Sequence, residues 1–318
     1  MKFFLLKCTS FILIFLFLFF IIPQIFEKHR DAQNWDFIYN KEYEIDIIYM
    51  GSSLTFTSLD PNVIDPIIGC NSFNLGSSAQ NIIQSYYNLI EVLKYRKVEL
   101  IILDVNTIIA ESNKVGFIYN NLSGMKFSEN KINSFLNSTD KSSIEGVIDI
   151  SKDDTKEDWG KIVSLLIKEK FNWKNDFKSF DRIFRNENKI KNSKGFYGRD
   201  KIISLEKYNS FKNEELKYEK ISTKNQKYFS EFIDLCISNK IDLILIQTPI
   251  LENRIIESLD LFINKYNLPY FSFKNDKDYI DYNYKDFSDK LHFSYSGAQK
   301  FSLVFADSLN KYLNNKKN

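Results

Sequence analysis

Histidine and cysteine are scarce in this chain of 318 residues, which has only two histidines, His29 and His292, and three cysteines. Two imidazoles argue against a zinc site built on histidine. Cys8 lies in the N-terminal apolar segment, and Cys70 and Cys236 lack the spacing of metal ligands, so a disulfide is allowed but not required. The sequence therefore predicts no metal and no cofactor, and it draws attention to His292.

The chain also lacks an excess of charge of either sign. It has 43 Lys and Arg against 41 Asp and Glu, a formal net charge of +2. Near neutrality gives no strong attraction to polyanions, and the lysines form no basic stripe interleaved with aromatic residues, so a nucleic-acid partner is not expected. A hydrophobic content of 44% is typical of a globular chain with one sizeable core.

The N-terminus has the pattern of a membrane anchor. Residues 1–26 combine the apolar run Phe11–Ile22 with Lys2 and Lys7 near the start. With the apolar residues before it, the run is about 20 residues long, enough to span a bilayer, and the basic start is expected to stay in the cytoplasm. A cleaved signal peptide is the alternative, but Pro23–Phe26 is too bulky for a cleavage site. We therefore predict a single-pass protein of the cytoplasmic membrane with an extracytoplasmic C-terminal domain.

Beyond this anchor, a polar and aromatic stretch is followed by an α/β pattern. Residues 27–44 are predicted to be a juxtamembrane linker, and residues 45–318 an α/β domain. The predicted strands are 45–50, 72–75, 98–105, 241–246 and 270–273, and the predicted helices are 80–95, 224–238, 255–266 and 297–314. Continuous apolar strands that alternate with amphipathic helices indicate a parallel sheet with helices on both faces.

This pattern is interrupted after the third strand. Residues 107–223 are polar and weakly periodic, with one short predicted helix at Ile162–Ile167 and a turn-like aromatic stretch at Gly195–Gly198. An insertion of this length is predicted to be a cap or substrate-binding flap over the site, and a surface elaboration is the alternative.

Polar residues or glycines follow four of the predicted strands. Ser53 follows the first, Gly76 the second and Asn106 the third, and a loop after the last strand carries Asp289 and His292. The carboxyl ends of parallel strands share one edge of the sheet, where α/β proteins collect their chemistry. A serine, a histidine and an aspartate three residues before it have the composition of a nucleophile, a base and a base-orienting group.

Each of these residues has an alternative interpretation. Ser53 is also a typical helix cap, and Ser52 is a second candidate nucleophile. Asp286 competes with Asp289 as the residue that orients the histidine. The glycine at position 76 is compatible with a simple tight turn, and Asn106 with an ordinary loop. Further candidates for lining a pocket are Gln247, Thr248, Trp173 and Tyr197.

Four short blocks resemble those of the SGNH/GDSL hydrolase superfamily. Gly51–Thr55 is similar to its Gly-Asp-Ser-Leu-Thr block, with Ser52 in place of Asp, and Asn74–Gly76 resembles its second block. Asp104–Thr107 keeps only the Asn of the Gly-x-Asn-Asp block, and Asp289–His292 matches the Asp-x-x-His block. The resemblance covers roughly residues 45–107 and 225–314.

The resemblance implies a three-layer, flavodoxin-like parallel sheet and a Ser53–His292–Asp289 triad. It also implies an oxyanion hole built from the N–H groups of Ser53 and Gly76 and the amide of Asn106. The chain resembles anchored members that O-acylate surface polymers, such as the alginate O-acetyltransferase and D-alanyl-lipoteichoic acid transfer proteins.

The expected function is therefore that of an extracytoplasmic serine esterase or O-acyltransferase. Its substrate would be a cell-surface glycopolymer or another acyl ester, and its partner a membrane-bound O-acyltransferase. The alternatives are a lone esterase or lipase of broad specificity and a catalytically silent protein of the same fold that binds glycans or acts as a scaffold.

Overall fold

The computed structural model describes residues 10–11, 30–110, 115–139, 193–273 and 281–317. The predicted anchor, apart from residues 10 and 11, lies outside these ranges, as do the predicted helix Ile162–Ile167 and Trp173. Within the ranges described, no helix has the length and apolar character needed to cross a membrane.

Five parallel strands form the main sheet. The strands of the described residues are β1 (Ile47–Met50), β2 (Ser72–Asn74), β3 (Leu100–Asp104), β4 (Lys217–Lys220), β5 (Asp242–Gln247), β6 (Arg254–Glu257) and β7 (Tyr270–Ser272). The main sheet has the order β2-β1-β3-β5-β7, and β4 and β6 form a separate parallel pair. Counted along the chain, the five strands run 2-1-3-4-5, the flavodoxin-like order. The predicted parallel α/β sheet is confirmed.

Helices flank this sheet. Those of the described residues are α1 (Arg30–Tyr39), α2 (Ser53–Ser58), α3 (Pro61–Ile68), α4 (Ile82–Leu93), α5 (Asn106–Ile109), α6 (Val115–Leu122), α7 (Glu129–Ser138), α8 (Leu205–Lys212), α9 (Thr223–Ser238), α10 (Leu259–Tyr266) and α11 (Tyr295–Lys317). A short 3₁₀ turn at Tyr284–Asp286 precedes the last helix.

The core lies on both faces of the sheet because the strands are buried on both sides. In β1, Ile48 belongs to the cluster that contains Phe229 of α9, and Tyr49 belongs to the opposite cluster with Phe301 and Phe305 of α11. Full burial of a side chain of this size contributes about 1.5–3 kcal/mol relative to exposure. Because the strands are packed on both faces, the sheet holds the residues that follow its carboxyl edge in place.

Two segments differ from the sequence-based expectation. Residues 30–39 of the expected linker form α1, in which Trp35 and Ile38 are buried in the core and the Trp35 indole N–H donates to Asn121 O at 3.1 Å. The helix predicted at 255–266 was wrong at its start, since Arg254–Glu257 is strand β6 and the helix begins at Leu259. Adjacent β-branched isoleucines favour the extended backbone of β6.

The described part of the predicted insertion divides into two pieces. Helices α6 and α7 pack against α1 and α4 and bury Ile118, Leu122 and Phe135 in the core cluster of one sheet face. These residues therefore extend the helical layer. The second piece begins at residue 193 and runs beside β2 toward the carboxyl edge of the sheet, where it contacts the candidate site described next.

Candidate active site

The turn after β1 presents a serine hydroxyl. Gly51 has a φ of +154°, and a Cβ at this position would lie 2.1 Å from Thr55 Oγ1, so the turn requires glycine. Ser52 is the N-cap of α2, with its Oγ accepting from the N–H of Leu54 at 3.3 Å. Ser53 is the first residue of the helix, and its hydroxyl points away from the cap. The capping role thus falls to Ser52.

Three residues from distant parts of the sequence form a hydrogen-bonded chain. Ser53 Oγ lies 2.7 Å from His292 Nε2, across a sequence separation of 239 residues. On the far side of the ring, His292 Nδ1 lies 2.8 Å from Asp289 Oδ1 and 2.9 Å from Asp289 Oδ2. Because a carboxylate only accepts, the proton of the neutral ring belongs on Nδ1, which leaves Nε2 free to accept the serine proton.

Backbone N–H groups of the loop that carries His292 hold this loop in place by donating hydrogen bonds to Asp289. The N–H groups of Leu291 and His292 both donate to Asp289 Oδ1 at 2.9 Å, which closes the Asp-x-x-His turn on its first residue. An antiparallel bridge between the buried residues Phe287 and Phe293 holds the base of the loop. The imidazole is therefore positioned by a turn whose geometry depends on Asp289 itself.

The environment keeps Asp289 ionised. Burial alone would raise the pKa of this carboxyl, but the hydrogen bond and charge of His292, with the backbone N–H groups of Leu291 and His292, hold its pKa well below the ordinary value. An ionised Asp289 can fix the tautomer of the ring and stabilise the imidazolium that forms when Ser53 gives up its proton.

A segment of the predicted insertion also contacts the Ser53–His292–Asp289 chain of hydrogen bonds. Residues 193–200, which we call the return segment, carry Arg199, whose Nη1 donates to Asp289 Oδ2 at 2.7 Å. The same segment is tied to the nucleophile helix, because the N–H of Tyr197 donates to Phe56 O at 2.9 Å. The return segment thus touches both the serine side and the histidine side of the site.

Gly76 lies beside the nucleophile turn, but its N–H already has an acceptor. A Cβ at Gly76 would be 3.1 Å from Ser52 O, and the N–H donates to Asn74 Oδ1 at 3.1 Å. The Asn74 amide is fixed in turn, because its Nδ2 donates to Thr55 O at 3.0 Å and to Leu59 O at 2.9 Å. An oxyanion would therefore have to share the Gly76 N–H with Asn74. Among the described residues, no acceptor pairs with the N–H of Ser53.

Asn106 is held in a defined orientation at the start of α5. Its Nδ2 and its backbone N–H both donate to Asp104 Oδ1 at 2.8 Å, and Arg254 Nη1 lies 3.4 Å from its Oδ1. Since a carboxylate accepts and a guanidinium donates, these two neighbours distinguish the oxygen of the amide from its nitrogen. Asp104 itself is next to the nucleophile turn, with its Cβ 3.1 Å from a Cβ placed on Gly51.

Asp104 is a fully buried carboxyl at the end of β3. Its second oxygen accepts from Thr248 Oγ1 at 2.6 Å. Burial raises the pKa of Asp104, although the hydrogen bonds from Thr248 and Asn106 work in the opposite direction. Nearby, the guanidinium of Arg254 is paired with Glu252 at 2.8 Å.

The structure brings together Ser53, His292 and Asp289, whereas Asp286 pairs with Lys300 at 2.9 Å. Sequence reasoning missed Arg199 and the role of Asp104. For Asp104 the signal was available, as an acidic residue that ends an otherwise apolar strand needs partners when it is buried. For Arg199 no comparable signal exists, because nothing in the sequence around it indicates which distant residue it contacts.

Among the described residues, no group of three or more His, Cys, Asp or Glu side chains is placed to hold a metal ion. Compared with known proteins, the sequence matches no family model and no curated protein.

Proposed function

We propose that this protein is a serine acyl-transfer enzyme of the SGNH type, an esterase or O-acyltransferase that uses Ser53, His292 and Asp289. The observation that carries the proposal is the 2.7 Å contact between Ser53 Oγ and His292 Nε2, with Asp289 on the other ring nitrogen. This is the geometry of an activated nucleophile, in which a base is within hydrogen-bond reach and is itself oriented by a third group.

In the proposed reaction, Ser53 Oγ attacks the carbonyl carbon of an ester while its proton passes to His292 Nε2. The tetrahedral intermediate collapses when the bond to the leaving oxygen breaks, and that oxygen takes the proton from His292. The acyl group is then bound to Ser53. Water or an acceptor hydroxyl attacks it in a second round, with His292 again taking and returning the proton.

Negative charge develops on the carbonyl oxygen in both rounds. The candidate donors are the N–H groups of Ser53 and Gly76 and the amide of Asn106, of which the Ser53 N–H is at the start of a helix and has no acceptor among the described residues. Loss of one such donor typically reduces the rate about 10²–10³-fold. Sharing of the Gly76 N–H with Asn74 is expected to weaken that donor.

The predicted N-terminal anchor supports a site outside the cytoplasm. We therefore propose a cell-surface glycopolymer as the substrate and a membrane-bound O-acyltransferase as the partner that supplies or receives the acyl group. A lone esterase of broad specificity uses the same triad. The transferase and the esterase differ in the group that accepts the acyl chain from Ser53, which is a glycan hydroxyl for the transferase and water for the esterase. Transfer is detected as an increase in the mass of the polymer.

The mechanism is tested by labelling the full-length protein in detergent with a fluorophosphonate and locating the adduct by mass spectrometry. We expect the adduct on Ser53, none in Ser53→Ala, and labelling retained in Ser52→Ala, since Ser52 only caps the helix. Hydrolysis of p-nitrophenyl acetate should follow the same pattern. Labelling that persists in Ser53→Ala would remove Ser53 as the nucleophile.

The second candidate is a catalytically silent protein of the same fold. It is favoured by one observation, the hydrogen bond from the Gly76 N–H to Asn74 Oδ1, which occupies a donor that catalysis needs. No labelling of the wild-type protein, together with retention of an immobilised surface glycan, would support this function over the enzymatic one.

A further inference from the structure

Asp289 has two cationic or proton-donating neighbours on one oxygen. Its Oδ2 accepts from Arg199 Nη1 at 2.7 Å and lies 2.9 Å from His292 Nδ1. The Arg199 and Asp289 side chains are 31% and 39% exposed, so the pair is screened only in part by solvent. The carboxylate is therefore shared between a permanent cation and the ring.

The position of Arg199 is set by the backbone of the return segment. At its start, Gly195 has a φ of +85°, and a Cβ there would lie 1.9 Å from Asn74 O. At its end, the N–H of Tyr295 donates to Arg199 O at 2.7 Å, and a Cβ on Gly198 would be 2.3 Å from the Tyr295 ring. Close packing at two glycines and a hydrogen bond at the arginine fix the backbone from which the guanidinium reaches Asp289.

We propose that Arg199 is a positioning residue of the triad, which fixes Asp289 through its second oxygen and offsets part of the negative charge that Asp289 places beside His292. The proposal rests on the proposed function for its catalytic meaning, but the electrostatic relation holds for the folded protein in either case. An aspartate alone stabilises an imidazolium strongly, and an aspartate paired with arginine does so less, because the pair has no net charge.

Two other charged residues of this loop, Lys290 and Asp286, form ion pairs of their own. Lys290 Nζ lies 3.6 Å from Glu252 Oε1, and Asp286 is paired with Lys300 of α11 at 2.9 Å. Among the described residues, Arg199 is thus the cation that contacts the carboxylate oriented toward the ring. Replacing Arg199 with an uncharged residue removes one positive charge next to Asp289.

The sign of the effect follows directly. Removal of a cation beside the Asp289–His292 pair favours the protonated ring. Because the base must be neutral to accept the serine proton, the acid limb of kcat/KM should move to higher pH in Arg199→Gln. Arg199→Lys keeps the charge and should give a smaller shift.

The direct measurement is an NMR titration of the full-length protein in detergent with ¹³C-labelled histidine rings. The chain has two histidines, so two ring signals are expected, and His292→Ala identifies the relevant one. Arg199→Met, which keeps the aliphatic stem, is titrated beside Arg199→Gln in case the amide disturbs folding. Lys207→Gln, at an exposed position of α8, is the matched control for loss of one charge and should leave the titration unchanged.

An acid limb of kcat/KM and a ring signal that do not move to higher pH in either uncharged variant would overturn the proposal. A purely structural role would lower turnover equally at every pH without moving the acid limb. The proposed function fails separately, if the wild-type protein neither hydrolyses esters nor labels at Ser53, and in that case a ring signal that titrates at higher pH in Arg199→Gln still supports the role assigned to Arg199.

Discussion

The carboxyl of Asp104 provides a quantitative test of how the site is built. It is fully buried and accepts three hydrogen bonds, two from Asn106 and one from Thr248. Asp104→Ala leaves three buried donors without their acceptor, and at about 1 kcal/mol each the free energy of unfolding should fall by about 3 kcal/mol. Asn106 would then also lose the contact that orients its amide.

Asp104→Asn should be much milder. The remaining carbonyl oxygen can still accept from Asn106, and the new amide can donate to Thr248 Oγ1, because a threonine hydroxyl can rotate to accept. The loss of charge also removes the desolvation penalty of a buried carboxylate, which offsets the weaker hydrogen bonds. We expect a decrease in unfolding free energy within about 1 kcal/mol.

The assay is urea unfolding of the full-length protein in detergent, followed by circular dichroism, with ester hydrolysis measured on the same samples. Equal destabilisation by Asn and Ala would mean that the charge of Asp104 is essential and that the hydrogen-bond accounting is wrong. A loss below about 1 kcal/mol in Asp104→Ala would mean that the three donors find other partners. Thr248→Val serves as the control that removes one bond and keeps the carboxyl.

The difference in stability between the wild type and Asp104→Asn should depend on pH in a defined direction. Since burial raises the pKa of Asp104 in the folded protein above the unfolded value of about 4, its ionised form destabilises the fold at neutral pH. This penalty is relieved as the pH falls through the raised pKa. The stability of the wild type relative to Asp104→Asn should therefore increase on acidification toward that range.

Two further outcomes follow from the same region. Gly51→Ala should abolish turnover and destabilise the fold by about 1–3 kcal/mol, because the new Cβ would lie 2.1 Å from Thr55 Oγ1. The control is Gly69→Ala, which should retain full activity, since Gly69 has a φ of +68° but no atom within 4 Å of an added Cβ. Equal turnover in the two variants would contradict the tight turn at Gly51. Asp289→Asn should flatten the decline of the free energy of unfolding on acidification below about pH 4. The pKa of Asp289 is depressed in the folded protein, so the ionised carboxyl contributes stability above the unfolded pKa, and this stability is lost as the pH falls through the native pKa. An unchanged slope in urea titrations would show that the ionised carboxyl of Asp289 does not stabilise the fold.

The sequence predicted the five strands of the main sheet well because they are continuous apolar runs, which a sheet covered on both faces can bury, whereas the polar strand β4 was not predicted and β6 was predicted to be helical. It also predicted that Ser53 and His292 would meet, since both follow strands of one parallel sheet. Helix α1 was not predicted, because this segment mixes polar and aromatic residues and the burial of Trp35 and Ile38 depends on contacts with Asn121 and α6. Local periodicity carries no information about such distant partners.

The arginine beside Asp289 was beyond sequence reasoning for a different reason. The place of Arg199 depends on how the chain returns from the insertion, and that path is set by close approaches at Gly195 and Gly198. Glycines occur in turns of many kinds, so the positions of Gly195 and Gly198 in the sequence do not reveal their contacts with Asn74 and Tyr295. These contacts become apparent only when the return segment lies beside β2.

The buried face of α1 has a practical consequence for anyone who wishes to produce the α/β domain without the predicted N-terminal anchor. A version that starts at residue 45, where the α/β pattern begins in the sequence, would delete Trp35 and Ile38 and open the core to water beneath α6. The useful starting point lies upstream of Arg30, so that the predicted anchor is removed and helix α1 is kept.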